Sequence, residues 1–135
     1  MWHLFYNIVL MLLSPVILVV LLAKQRCRRG LFQRLGLKNG LFGLSGRPAR
    51  PVIWIHAVSL GEVVAVTPLV KELSRRHPDC HLVVSTVTET GREAVEQRLA
   101  GVADHCYAPL DFPWVVSRFI ERLQPCLYVF VETEL

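Results

Sequence analysis

Apolar and polar positions along the chain follow two patterns, which meet near residue 50. The first is a run, LFYNIVLMLLSPVILVVLLA (Leu4 to Ala23), that carries no charged residue. About 20 apolar residues at 1.5 Å rise cross a hydrocarbon core of ~30 Å, so the run predicts a transmembrane helix over residues 1–23. Asn7, Ser14 and Pro15 interrupt it; a membrane helix tolerates such a proline by kinking and re-satisfying the freed carbonyl. No Lys or Arg precedes the run, and it ends in Leu-Leu-Ala-Lys-Gln. A cleaved signal peptide would show a basic leader and a small-x-small site, so an uncleaved anchor is expected.

From Pro51 the pattern becomes short apolar runs separated by amphipathic stretches. PVIWIHA, HLVVSTV, ADHCYA and CLYVFVE are rich in β-branched and aromatic residues and predict four strands. VIWI and LYVFV are almost continuously apolar, as strands covered on both faces are. Glu62 to Arg76 places Val63, Val66, Leu69, Val70 and Leu73 at helical spacing, with Pro68 expected to kink the helix or mark a restart. Gly91 to Leu99 and Pro113 to Leu123 predict two more helices. Strand and helix in strict alternation, with tight loops, imply a parallel sheet with right-handed crossovers: an α/β, Rossmann-like layer over residues 51–135.

Charge divides the chain at the same place. Residues 1–61 hold eight Lys/Arg and no acid, and residues 62–135 hold seven Lys/Arg and all eleven acids. Lys24, Arg26, Arg28 and Arg29 directly follow the apolar run, and Arg34, Lys38, Arg47 and Arg50 extend the basic segment over 24–50. Positive flanks stay in the cytoplasm, which sets the expected orientation. The same residues suit an anionic membrane surface. Nucleic acid is disfavoured as a partner, because this run adjoins a membrane helix and lacks interleaved stacking aromatics. Cys27, Cys80, Cys106 and Cys126 form no C-x-x-C and no Cys-His pair at ligand spacing. They read as thiols in a reducing compartment, and no metal is expected.

In a parallel sheet, ligands bind beyond the carboxyl ends of the strands. Those ends read Ala57-Val58-Ser59-Leu60-Gly61-Glu62, Thr86-Val87-Thr88-Glu89-Thr90-Gly91, Pro109-Leu110-Asp111 and Glu132-Thr133-Glu134. Neither G-x-G-x-x-G nor G-x-x-x-x-G-K-[ST] occurs there, so nicotinamide dehydrogenases and P-loop NTPases are disfavoured. Glu62 admits two readings. Ser59-Leu60-Gly61-Glu62 is a capping box, repeated at Thr90-Gly91-Arg92-Glu93, and Asp111 reads as the cap of the third helix. A carboxylate at a strand-to-helix junction can equally take a proton from a substrate hydroxyl. His56, at the end of the first strand, reads as a structural histidine.

The combination HAVSLGE, TPLV, STVTETGRE, HCYAPLDFP and VETEL, in this order and spacing, resembles the amino-terminal half of bacterial 3-deoxy-D-manno-octulosonic acid (Kdo) transferases. The resemblance covers essentially the whole chain, with Leu60 where valine is usual and Glu89 where proline is usual. It implies the acceptor-binding half of a two-domain GT-B fold, with CMP-Kdo bound by a carboxyl-terminal domain and no required metal or cofactor. It further implies transfer of Kdo to lipid IVA with inversion at the anomeric centre, at the cytoplasmic side of the inner membrane. Glu62 is then the general base and Glu132 a stabiliser of the transition state. Ser59, Gly61, Thr88, Thr90 and Gly91 become candidates for holding the acceptor. On this reading the chain is an amino-terminal fragment, inactive alone. The competing reading is a non-catalytic, membrane-anchored module that binds an anionic lipid.

Overall fold

The computed structural model describes residues 2–23, 30–35 and 49–132; within the first stretch, the side chains at 2, 3, 10, 17, 18 and 21–23 fall outside the description. Its elements run α1 (Trp2–Ala23), α2 (Leu31–Arg34), β1 (Val52–Ala57), α3 (Leu60–Arg76), β2 (His81–Thr86), α4 (Glu89–Arg98), β3 (Asp104–Tyr107), α5 (Pro113–Leu123) and β4 (Pro125–Val131). All strand pairs are parallel, in the order β3-β2-β1-β4. The expected Rossmann-like layer is therefore present, and each predicted strand and helix from Pro51 onward has its counterpart.

Alternation along the strands divides the core into two layers. Ile53, Ile55 and Ala57 of β1 and Leu82 and Val84 of β2 meet Val63, Val66 and Val70 of α3 and Ala94 and Val95 of α4. On the other face, Val52, Trp54, Val83 and Cys106 meet Phe119 and Leu123 of α5. β4 lies at the sheet's edge beside β1, with Leu127, Tyr128 and Phe130 about half exposed. Its register slips once: Val52 pairs with Pro125 but Ile53 with Leu127, so Cys126 bulges out, and Ala57 then pairs with Val131.

Several local expectations are corrected. α3 does not restart at Pro68 but continues through it: Val64, whose carbonyl the proline leaves without its helical donor, lies on the exposed side together with Pro68, where water can serve it. The cap of α4 is Thr88, whose hydroxyl accepts from the Gly91 amide at 3.1 Å, not Thr90. α5 is preceded by Phe112 without a side-chain cap, and Pro113 starts it. Asp111 instead accepts a 2.6 Å hydrogen bond from the Tyr6 hydroxyl.

That last contact bears on the expected transmembrane segment. α1 is helical throughout Trp2–Ala23 with Pro15 inside. Among the described residues, however, no helix is long and apolar enough to cross a membrane. Tyr6 and Ala23 are separated by about 25 Å of helix at 1.5 Å per residue. A helix spanning the bilayer from a cytoplasmic basic flank would hold Tyr6 on the far side, whereas here Tyr6 touches Asp111 in the loop before α5. The spanning arrangement expected for residues 1–23 is thus not supported. Lys24, Arg26, Arg28, Arg29, Lys38 and Arg47 of the basic segment lie outside the described residues.

α2 docks on the carboxyl end of β3. Its cap residue Gly30 has φ 83°, in the left-handed region, and a Cβ there would stand 2.1 Å from the Tyr107 ring. Only glycine fits both demands. The Tyr107 amide donates to Gln33 Oε1 at 3.2 Å, and the Leu110 amide to the Arg34 carbonyl at 3.1 Å. Gly30→Ala is therefore expected to detach α2. Hydrogen exchange would show Tyr107 and Leu110 amides losing protection, with the β1 and β2 amides unchanged.

Candidate active site at the carboxyl edge

From β1 the chain passes outward on one side through β2 to β3, then returns across the sheet to lay β4 on the other side of β1. The direction of winding therefore reverses between β1 and β4, the place where open α/β sheets leave a crevice. Glu62 comes from the loop and first helical turn after β1, and Glu132 follows β4 directly. Ala57 pairs with Val131, so Val58 and Glu132 stand one residue beyond the same rung. The Glu62 carboxylate is anchored at that level: its Oε2 accepts from the Val58 amide and, at 3.3 Å, from the Ser59 amide. Glu62 is half-buried and Glu132 exposed. The two glutamates expected from the sequence thus stand at the carboxyl ends of the adjacent strands β1 and β4.

The capping reading of Glu62 also holds. Ser59 is extended (φ −132°, ψ 175°), and it and Glu62 form a capping box on α3. Cap and candidate base are therefore one side chain, whose position the helix start fixes. Val58 also joins the next loop, its carbonyl accepting from the amides of Val87 (3.0 Å) and Thr88 (3.4 Å).

The remaining candidates separate. Ser59 and Gly61 sit with Glu62, and a Cβ on Gly61 would meet nothing within 4 Å, so the backbone there is open to a ligand. Thr88, Thr90 and Gly91 lie at the start of α4, beyond the carboxyl end of β2 and on the side of β1 away from β4. Thr88 Oγ1 takes the Gly91 amide, and Thr90 Oγ1 lies 3.4 Å from it. Gly91 is buried, with room for no Cβ beside Thr88 and Thr86. Its amide serves the cap and its missing side chain serves packing. Thr90 is the exposed member of the three.

Beside them is a cluster that sequence reasoning did not assemble. The Tyr107 hydroxyl donates to Glu89 Oε2, and Arg92 Nε donates to Glu89 Oε1 at 2.9 Å. The Arg34 guanidinium lies 4.8 Å over the Tyr107 ring and donates to the Val87 carbonyl. Burial, reinforced by the Glu89 contact, pushes the Tyr107 phenol up to about 12. Burial, then the charge of Arg92, pulls His105 down to about 4; its Nε2 meets Thr86 Oγ1 at 2.9 Å. Glu89 stands where the resemblance leads one to expect proline, and its carboxylate holds this corner together. Nothing in the local pattern signals the pairing, since its members come from α2, β3 and α4.

Among the described residues, no group of three or more His, Cys, Asp or Glu could hold a metal ion. Cys80, Cys106 and Cys126 are free thiols; Cys27 lies outside the described residues. An open cleft of about 550 Å³, lined by Arg50, Pro51, Ile120, Glu121, Gln124 and their neighbours, sits at the amino-terminal ends of the strands, away from the two glutamates.

Residues 29–135 match the family of the 3-deoxy-D-manno-octulosonic-acid transferases (kdotransferases), in its amino-terminal portion. The chain belongs to the Kdo transferase family. It is 39% identical, over its whole length, to the 3-deoxy-D-manno-octulosonic acid transferase of Haemophilus influenzae, of which it covers 32%. Over 64% of the chain it is 36% identical to the enzyme of that name from Rickettsia felis, covering 19% of it. Over 66% it is 34% identical to a probable mitochondrial 3-deoxy-D-manno-octulosonic acid transferase of Arabidopsis thaliana, covering 20% of that protein. The chain thus spans a third or less of the length of these curated relatives. No solved structure matches it. Within the Kdo transferase family, the matched region takes in β1 to β4 and both glutamates.

Proposed function

We propose that this chain forms the acceptor side of a Kdo transferase of lipopolysaccharide synthesis, moving Kdo from CMP-Kdo to a hydroxyl of lipid IVA with inversion. The observation that carries the reading is the placement of Glu62 and Glu132 at the carboxyl ends of the adjacent strands β1 and β4, in a chain of this family. A sugar hydroxyl is far too weak an acid to lose its proton beforehand, so a positioned carboxylate must take it as the new bond forms. Glu62 has that role. Anchoring of Oε2 on two backbone amides fixes the position of the carboxylate at the start of α3. Glu132, the more exposed carboxylate, stabilises the positive charge that develops on the Kdo ring as CMP departs.

CMP-Kdo is held by a donor-binding domain outside these 135 residues, so the chain alone is inactive. Ser59, Gly61 and Thr90 contact the acceptor, while Thr88 and Gly91 shape the loop that carries Thr90. The protein works at the cytoplasmic face of the inner membrane. Apolar side chains of α1, Leu4, Phe5, Met11, Leu12, Val16 and Val19 among them, are exposed and engage the bilayer, and the basic charge of the 24–50 segment, Arg34 apart, adds attraction to anionic head groups.

The direct test uses a polypeptide of the relatives' full length carrying this sequence, given CMP-Kdo and lipid IVA. Product bearing Kdo on the acceptor is expected, and none from residues 1–135 alone; an inert full-length protein would sink the proposal. In the same assay Glu132→Gln is expected to lower kcat by about 100-fold with little change in acceptor KM, since the charge is needed only in the transition state.

A further inference from the structure

We propose that His56 is a further residue of this site: a neutral imidazole with its proton on Nε2, fixed in that tautomer by Trp54 and Ser85 and donating a hydrogen bond to the acceptor sugar beside Glu62. The inference rests on the proposed function and adds a named contact to it.

The argument is one of hydrogen-bond accounting. Ser85 is 0% exposed, so its hydroxyl proton must find an acceptor within the protein. Two groups meet its oxygen, Trp54 Nε1 and His56 Nδ1, each at 2.8 Å. An indole N–H can only donate, so Ser85 Oγ accepts from Trp54. Its own proton then has one acceptor among the described residues, His56 Nδ1. If Nδ1 carried the proton instead, two donors would point at Ser85 and a buried hydroxyl hydrogen would be left without a partner, at a cost of about 1–3 kcal/mol. The neutral ring therefore carries its proton on Nε2.

The placement suits the site. Ser85 pairs with His56 across one side of β1 and Phe130 across the other. The His56 and Phe130 rings stack with centroids 5.6 Å apart and planes 19° apart, so the imidazole is fixed on both sides. Glu132 follows Phe130 by two positions, the side-chain repeat of a strand. His56 is part-exposed at the end of β1, and Nε2 has no hydrogen bond among the described residues. Burial lowers the affinity of the ring for a second proton, although a hydrogen bond to the Ser85 backbone and the charge of Glu62 act the other way. A neutral donor helps here, whereas an imidazolium beside Glu62 would hold the carboxylate's charge and weaken it as a base.

The test uses the full-length polypeptide labelled with ¹⁵N-histidine. At neutral pH, His56 should show an unprotonated Nδ1 and a protonated Nε2, and Ser85→Ala should let the tautomers mix. A proton on Nδ1, or an imidazolium, overturns the assignment without any assay of activity. The kinetic arm compares His56→Gln, whose amide nitrogen reaches the Nε2 position, with His56→Asn, whose amide reaches only that of Nδ1. Glutamine should keep kcat/KM for the acceptor within ~10-fold, and asparagine should lose ~100-fold or more, with KM for CMP-Kdo unchanged in both. Equal activity of the two variants overturns the role. If His56→Asn is fully active while Glu62→Gln is dead, His56 fails and the proposed function stands. If the unsubstituted protein transfers no Kdo, both fail.

Discussion

Glu62→Gln, in the full-length protein, is expected to lower Kdo transfer by a factor of about 10²–10⁴ and to leave the fold almost untouched. The amide oxygen of glutamine can still accept from Val58 and Ser59, so the capping box and the start of α3 survive. What is lost is the charge. At the third helical position a carboxylate favours the helix dipole by roughly 0.3–1 kcal/mol, which bounds the change in stability. Glutamine has no useful basicity, so the acceptor hydroxyl keeps its proton and kcat falls, while acceptor KM stays near its original value. Urea denaturation and steady-state kinetics on one preparation separate the roles. Normal activity with a weakened fold would reduce Glu62 to a cap. Glu62→Ala cannot make the distinction, because it removes base and cap together.

Phe119→Ala has the largest expected effect on stability, a loss of about 3–5 kcal/mol. Phe119 is fully buried and stands 5.1 Å from the Trp54 ring. Among the described residues, α5 supplies the helical cover of its face, through Val115, Phe119 and Leu123; two helices cover the other. Deleting the ring leaves a void that neighbouring strands cannot close, since parallel pairing fixes their spacing. A domain with 5–15 kcal/mol in hand is brought near its threshold. Denaturation followed by circular dichroism should show the loss as a lower urea midpoint at unchanged slope; a shift below 1 kcal/mol would mean that the layer repacks. Trp54 also donates to Ser85, so the substitution should loosen the side-chain chain that ends at His56.

Much of this architecture is legible in the sequence because both periodicities are strong. VIWI lies between two covered faces as its apolar run suggests, and Val63, Val66 and Val70 mark the inner side of α3; LYVFV, equally apolar, is an edge strand left half exposed. Glu62 was legible too, as a capping box and as a carboxylate at a strand end. Harder to see were contacts between residues distant in sequence. Ser85 carries no local signal, yet it joins Trp54 and His56 across two strands. Tyr107 meets Glu89 across β3 and α4, and Arg34 joins Tyr107 because α2 folds back onto β3. Thr88 replaced Thr90 as a cap because α4 starts two residues earlier than its apolar spacing suggests. Hydropathy read Leu4–Ala23 as a span without weighing that Tyr6 can bond Asp111.

The slip in β4 at Cys126 has a consequence of its own. Parallel strands count residues in step, and Cys126 is the one that β4 counts and β1 does not. Were Cys126 to pair in step with Ile53, each later residue of β4 would move one place along and to the opposite face. Phe130 would leave His56, Leu127 would come level with Trp54, and Glu132 would stand one rung further out. What Cys126 contributes is its place in the tally rather than its sulfur: it sets the phase in which the second carboxylate arrives beside the first.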